Sequence, residues 1–202
     1  MEMPLAHADL RADLLAVAEL VQPKEKVLDL GCGDGALLRH LIDAKKITGR
    51  GVELQQEGVM ACMHRGLSVR QGDLGEGLSD YPDQAFDTVI LSYTIPYIND
   101  PAFILKEMLR VGRRAIVSFP NWGNWQCRLN FLFTGRIPVT AGLPQPWDAA
   151  PRARPLTIRD FEEFCARHHI RLTAEIFLQG TRRLQTGFQN NLRATTAIFE
   201  LR

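Results

Sequence analysis

The chain has 202 residues, 46% of them apolar and 23% charged, with a formal net charge of +1. That length supplies one substantial core, and the composition is ordinary for a soluble globular protein. The near-zero net charge gives no electrostatic reason to invoke a nucleic acid or a membrane surface as partner.

Over residues 1–20 the charges Glu2, Asp9, Arg11, Asp13 and Glu19 interrupt the apolar residues, so no signal-peptide core or spanning helix is expected there. Residues 8–21 place Leu10, Leu14, Leu15, Val17, Ala18 and Val21 at helical spacing, and Pro23 stops that helix. A first strand is predicted over 26–30, followed by a glycine-rich turn and a helix over 35–42. A second strand covers 49–54, and a helix over 55–64 is expected to turn Val59, Met60 and Met63 inward. A third strand covers 67–71. The fourth, 86–92, is the most apolar and therefore central. Asp100-Pro101 opens a helix with Ile104, Leu105, Met108 and Leu109 on its inner face. A fifth strand over 115–119 is cut by Pro120.

The rhythm then breaks. Residues 121–155 are loop-rich and carry Trp122, Trp125, Phe131, Phe133, Pro138, Pro144 and Trp147. A helix over 157–168 begins at Thr157, with Asp160 placed for a capping box. Two last strands are read over 171–177 and 194–201, joined by a polar hairpin connection within 180–191. Together these predict an α/β, doubly wound, Rossmann-like sheet. Seven strands are expected, mostly parallel, with a C-terminal antiparallel hairpin, in a single domain over 1–202 with an insertion at about 121–155.

The turn after the first strand carries the chemistry. Gly31-Cys32-Gly33-Asp34-Gly35-Ala36 satisfies the dinucleotide fingerprint G-x-G-x-x-G/A. Asp29-x-Gly31-x-Gly33-x-Gly35 also resembles the loop of class I S-adenosylmethionine (SAM) methyltransferases. A pyrophosphate needs bare amides and no competing anion, whereas Asp29 and Asp34 flank this loop. SAM has no phosphate and carries a sulfonium and an α-amine, so acids are assets. Glu53, 22 residues past Gly31, suits ribose hydroxyls under either reading. Asp73, in Gly72-Asp73-Leu74, suits the exocyclic amine of an adenine. The NAD reading accounts for Glu53 but not for Asp29 or Asp73, so SAM or S-adenosylhomocysteine is the favoured cofactor. Taken singly, Glu53 and Asp73 also read as ordinary turn or cap carboxylates. Arg11 is read either as a fork for the cofactor's carboxylate or as an exposed arginine on an amphipathic helix. The cofactor-binding set is Asp29, Gly31, Cys32, Gly33, Gly35, Glu53, Leu54, Gly72, Asp73, Leu74, Leu91, Tyr93 and Arg11. No metal ligand or catalytic residue is assigned. Cys32, Cys62, Cys127 and Cys165 have no C-x-x-C spacing and read as reduced thiols of a cytoplasmic protein, Cys32 being a small filler in the loop.

Signs of a methyl acceptor are missing. The end of the fourth strand, Leu91-Ser92-Tyr93-Thr94-Ile95-Pro96-Tyr97, is not the Asn/Asp-Pro-Pro-Tyr/Phe of amino-methyltransferases, and no Pro-Cys nucleophile is present. His64, His168 and His169 read as surface or helix-end residues. Ser92 and Tyr93 read as a turn touching the cofactor. The segment holding Trp122, Trp125 and Arg128 has three readings: a lid on a small substrate, an anchor for a protein partner, or aromatics packed on their own sheet.

Across nearly its whole length the chain resembles the MetW family of methionine biosynthesis. The resemblance rests on Arg11-x-Asp13-Leu14, the Val27–Gly35 loop, Gly51-Val52-Glu53, Gly72-Asp73-Leu74, Phe119-Pro120-Asn121-Trp122, Gly135-Arg136-Ile137-Pro138-Val139-Thr140 and Thr157-Ile158-Arg159-Asp160-Phe161. It implies a bacterial cytoplasmic protein with a SAM-methyltransferase-like fold. It also implies a role beside the homoserine O-acyltransferase MetX, which makes the O-acylhomoserine precursor of methionine. The leading expectation is a SAM-binding accessory partner of MetX, in contact through Trp122, Trp125 and Arg128. The alternative is a working SAM-dependent methyltransferase on a small acceptor, with an NAD oxidoreductase third.

Overall fold

The computed structural model describes residues 10–139, 148 and 153–202. The expected helix start at Ala8, and Thr140, Pro144 and Trp147, lie outside the described residues.

Eight strands form one sheet in the order β3-β2-β1-β4-β5-β8-β6-β7. β1 (Lys26–Leu30), β2 (Thr48–Glu53), β3 (Val69–Gln71), β4 (Phe86–Ser92) and β5 (Gly112–Pro120) are parallel. β8 (Thr196–Leu201) runs antiparallel between β5 and β6 (Leu172–Gln179), and β7 (Arg182–Leu184) closes the edge against β6. The strand order reverses at β1 and β4, and in such sheets ligands bind outside the carboxyl ends of the strands there.

The central strands alternate their side chains between two apolar layers, as the pleat requires. Leu28, Leu30, Val89, Leu91, Ala115, Val117 and Phe119 pack with α4 (Pro101–Val111) and α6 (Ile158–Arg167). Val27, Ile90, Ile116 and Ile198 pack with α1 (Ala12–Leu20) and α2 (Ala36–Lys45). Burial on both faces explains why β1, β4 and β5 read as near-continuous apolar runs. Phe119, Phe161 and Phe199 meet pairwise at centroid separations of 5.0 to 6.0 Å and seat α6 on the sheet. The capping box at Thr157 and Asp160 forms as expected.

Four expectations need correction. The sheet has eight strands because the stretch read as a polar connection holds β7, where Leu184 is buried beside exposed Arg182 and Arg183, and the start of α7 (Asn190–Arg193). β5 is longer than its apolar run, since Gly112 to Arg114 pair with β4 and Pro120 still sits opposite Thr196. In α3 (Gln56–His64) Met60 and Met63 face solvent and Cys62 is the buried residue. Leu15 on α1 is exposed as well. Among the described residues no helix is long and apolar enough to cross a membrane.

Candidate functional site

The turn from β1 into α2 is built on three left-handed glycines, with φ of +67° at Gly31, +56° at Gly33 and +75° at Gly35. Side chains are disfavoured in this region by their Cβ atoms. Two of the three are also crowded. A Cβ at Gly31 would stand 2.6 Å from Thr94 Oγ1, and one at Gly35 would run into Leu67 and Cys62. Gly33 differs, for a Cβ there meets nothing within 4 Å. The side of Gly33 where a Cβ would stand is open, which leaves a ligand room to approach the main chain there.

The loop is tied to the strand beside it. Gly31 and Cys32 donate their N–H groups to Val52 O, at 2.8 and 3.2 Å. Gly33 N–H donates to Glu53 Oε2 at 2.8 Å, and Gln55 N–H to Glu53 Oε1 at 2.9 Å. Gly72 N–H donates to Glu53 O, so the ends of β2 and β3 are also joined. Each Glu53 oxygen keeps a lone pair for a further donor.

Asp29 lies inside β1, one residue before its end, on the α1–α2 side of the sheet. It is 3% exposed, and no donor among the described residues reaches its carboxylate. Burial, then the charge of Glu53, pushes its carboxyl up to about 7. Such a group is stabilised as an anion only by a cationic or hydrogen-bonding partner. Cys32 and Cys62 approach at 3.7 Å, and Cys62 donates its S–H to Gly33 O. Burial, then for Cys32 the charge of Asp29, raises both thiols, which leaves them as packing groups rather than nucleophiles.

Other members of the predicted set are placed differently. Arg11 gives its Nε and Nη2 to Asp13, at 3.1 and 2.9 Å, and its guanidinium lies 4.9 Å over the Tyr93 ring. Its fork is thus already held by a carboxylate of its own helix. Tyr93 takes φ +55°, uncommon for a bulky residue. Its phenol meets Thr196 Oγ1 at 2.6 Å, and burial, then the Asp13 charge, pushes it up to about 12. Tyr93 therefore spans from α1 across the tip of β4 to β8. Asp73 Oδ1 accepts from Gly75 N–H at 2.7 Å and caps a short turn, while Leu54 is exposed. Gly72 and Leu74 both follow β3, and Leu74 is buried. Leu91, on the same face of β4 as Val89, is fully buried in the core with α4.

Two contributors were missed in the sequence. Cys62 supports the Gly33 carbonyl, and Gly58 lets α3 press on the loop. A Cβ at Gly58 would stand 2.7 Å from Glu53 Cγ and 2.9 Å from Gly33 O. A glycine inside a helical pattern was the available signal for that close approach.

Beyond β5 the chain is pinned by Asn121. Its Nδ2 donates to Asn191 O and Ala194 O, and its Oδ1 accepts from Gly123 and Ile158 N–H. Asn124 caps α5 (Trp125–Thr134) by accepting from Gln126 N–H. Arg128 returns its Nε to Gly123 O at 2.7 Å.

A family model described as "Methionine biosynthesis protein MetW" matches residues 11–201. The chain belongs to the MetW family. It is 34% identical over 200 residues to the "Bifunctional methionine biosynthesis protein MetXA/MetW" of Rhodopirellula baltica, covering 94% of this chain and 32% of that protein. The chain thus spans about a third of the length of that curated relative. A solved SAM-dependent methyltransferase from Archaeoglobus fulgidus superposes with a TM-score of 0.68 at 17% identity, covering 94% of this chain and 91% of that one. One from Mesorhizobium loti gives 0.68 at 13%, covering 96% and 99%. This MetW-family chain therefore has the class I SAM-methyltransferase fold.

Proposed function

We propose that this chain, as one methyltransferase-like domain, binds SAM or S-adenosylhomocysteine and acts as an accessory partner of the homoserine O-acyltransferase MetX in methionine biosynthesis. The observation that carries the cofactor reading is Asp29, a buried carboxylate that no donor among the described residues reaches, beside the open Cβ side of Gly33. The cofactor's α-ammonium is the group such an anion needs. Glu53 would take the ribose hydroxyls on its spare lone pairs, and Asp73, with one oxygen on Gly75, would take the adenine amine. Arg11 would take the cofactor's carboxylate by leaving Asp13. A pyrophosphate fits less well, since Asp29, Asp34 and Glu53 all stand beside the loop.

The accessory role draws on the relative whose name joins MetXA and MetW in one polypeptide. It also draws on Tyr93, which ties α1 to β8 across the edge where an acceptor would approach. When bound, SAM supplies an activated methyl group, yet Ser92 is hydrogen-bonded to Ser118 and Tyr93 to Thr196, so neither stands ready as a base.

Calorimetric titration with S-adenosylhomocysteine and with NAD tests the cofactor. Binding of the first and not the second is expected; tight NAD binding would overturn the assignment. Acyl transfer by homoserine O-acyltransferase is expected to rise when the chain is added. Transfer of label from SAM to a small molecule, with no effect on the acyltransferase, would favour the working methyltransferase instead.

A further inference from the structure

Helix α5 leaves the carboxyl edge of the sheet with Cys127 as its only buried residue. Leu129, Phe131, Leu132 and Phe133 are exposed, the last two at 73% and 79%. Ile137 and Val139 continue the exposed apolar run past Gly135, which ends the helix in a left-handed cap. At the root of the helix an open groove of about 600 Å³ is lined by Trp122, Arg128, Phe131, Leu132, Ile137 and Pro155. Clustered apolar exposure of this kind marks an interaction site rather than ordinary surface. Residues 121–139 carry two cations, Arg128 and Arg136, and no acid.

We propose that α5 and the segment through Val139 are the docking surface for the homoserine O-acyltransferase, whose matching face is apolar and rimmed by carboxylates. The inference rests on the accessory reading above and assigns it a place on the molecule. A relative of this chain carries both names, MetXA and MetW, on one polypeptide, which links the two units. Docking of the acyltransferase needs exposed apolar surface, and Phe131, Leu132, Phe133, Ile137 and Val139 are exposed together here. The charge argues against a second copy as occupant. An isologous contact would set this patch, with two arginines and no acid, against its own copy, and that like-charge pairing is disfavoured. A carboxylate rim on the acyltransferase satisfies both, while the apolar centre supplies the anchors.

The test measures association of the full chain with homoserine O-acyltransferase by calorimetry. Leu132→Asp and Phe133→Asp alter side chains that pack on almost nothing, so the thermal melt of each variant should match the parent. Each is expected to weaken association by about 30-fold or more, the scale of an interface anchor. Arg136→Glu should weaken it and flatten its salt dependence. Met63→Asp, an exposed change on α3, should leave it unaltered. If the parent associates and both aspartate variants associate equally well, this surface is wrong while the accessory reading stands. Failure of the parent to associate overturns the accessory reading and this inference with it. A parent that is dimeric alone and made monomeric by Phe133→Asp, with acyltransferase binding intact, assigns the face to self-association. Loss of binding to anionic lipid vesicles, again with acyltransferase binding intact, assigns it to a membrane surface; either result overturns the proposal.

Discussion

Asp29 and Gly33 sit four residues apart and answer to different physics. The unfolded chain ionises Asp29 near 3.8, whereas the fold holds its proton up to about 7. Between those values the folded state binds the extra proton, so stability falls as pH rises through the window. The ligand-free chain is expected to lose on the order of 2–4 kcal/mol between pH 4 and 8 from this group. Chemical denaturation across that range checks it, and Asp29→Asn should flatten the slope and stabilise the chain at pH 8. The same substitution should weaken S-adenosylhomocysteine binding by about 10- to 100-fold, the worth of a hydrogen bond to a charged group. Affinity should rise with pH through about 7, opposite to stability, because the ammonium requires the ionised form. Gly33 asks for backbone freedom and empty space. Gly33→Val should cost about 1–2 kcal/mol through its left-handed φ and abolish S-adenosylhomocysteine binding, read by melt and calorimetry. Gly31→Ala should cost more stability, since its methyl meets Thr94 in a packed turn.

At the scale of elements, the loop after β5 depends on one asparagine. Asn121 is 2% exposed and joins the turn before α5, the first turn of α6 and the end of α7. Asn121→Ala would take the side-chain partner from the Gly123 and Ile158 amides and from Asn191 O, while Ala194 O keeps Asn124 Nδ2. A loss of about 2–4 kcal/mol is expected from such unmet groups, measured by denaturant titration, together with weaker protection of α5 amides from exchange. This staple was not legible in the sequence, because a side chain that bonds to three distant backbone groups leaves no periodic trace. What was legible followed local rules. β1 and β4 match their apolar runs residue for residue, and Thr157 and Asp160 announce α6. β7 was hidden because three residues with one buried position cannot show a period. Met60 and Met63 were misplaced because helical spacing fixes which residues share a face but not which face meets the sheet. The cradle was partly legible: alternating glycines name the turn, and Glu53 does reach Gly33. That Arg11 would be held by Asp13 two residues on was not foreseen, since side-chain competition is invisible in spacing.

Over the whole molecule, the two ends of the sheet divide the work. The carboxyl end holds the cradle. The amino end holds Arg114, which donates Nε to Thr88, Nη1 to Glu200 at 2.6 Å, and Nη2 to Glu25 and to Leu20 O. Thr88 and Thr173 complete the carboxylates' bonding at Glu25 and Glu200. One guanidinium thus binds the end of α1, the approach to β1, and strands β4, β5 and β8. Arg114→Met removes the shared cation and leaves two largely buried carboxylates facing each other. Breaking a buried pair in this way costs about 3–5 kcal/mol. Replacing all three charges, as Arg114→Met with Glu25→Leu and Glu200→Leu, should recover most of that loss, because desolvation of the ions is removed along with their attraction. Neither variant should move the dissociation constant for S-adenosylhomocysteine. Arg114 and Ser118 are four residues apart on β5, about 13 Å along an extended strand, and the packed core between them transmits no charge to Asp29. A melt that drops and recovers while calorimetric affinity holds steady would show that stability and ligand recognition are built at opposite ends of the same strands. If affinity instead falls with Arg114→Met and returns in the triple variant, the docking of α1 that Arg114 secures through Leu20 also sets Arg11 over the cradle.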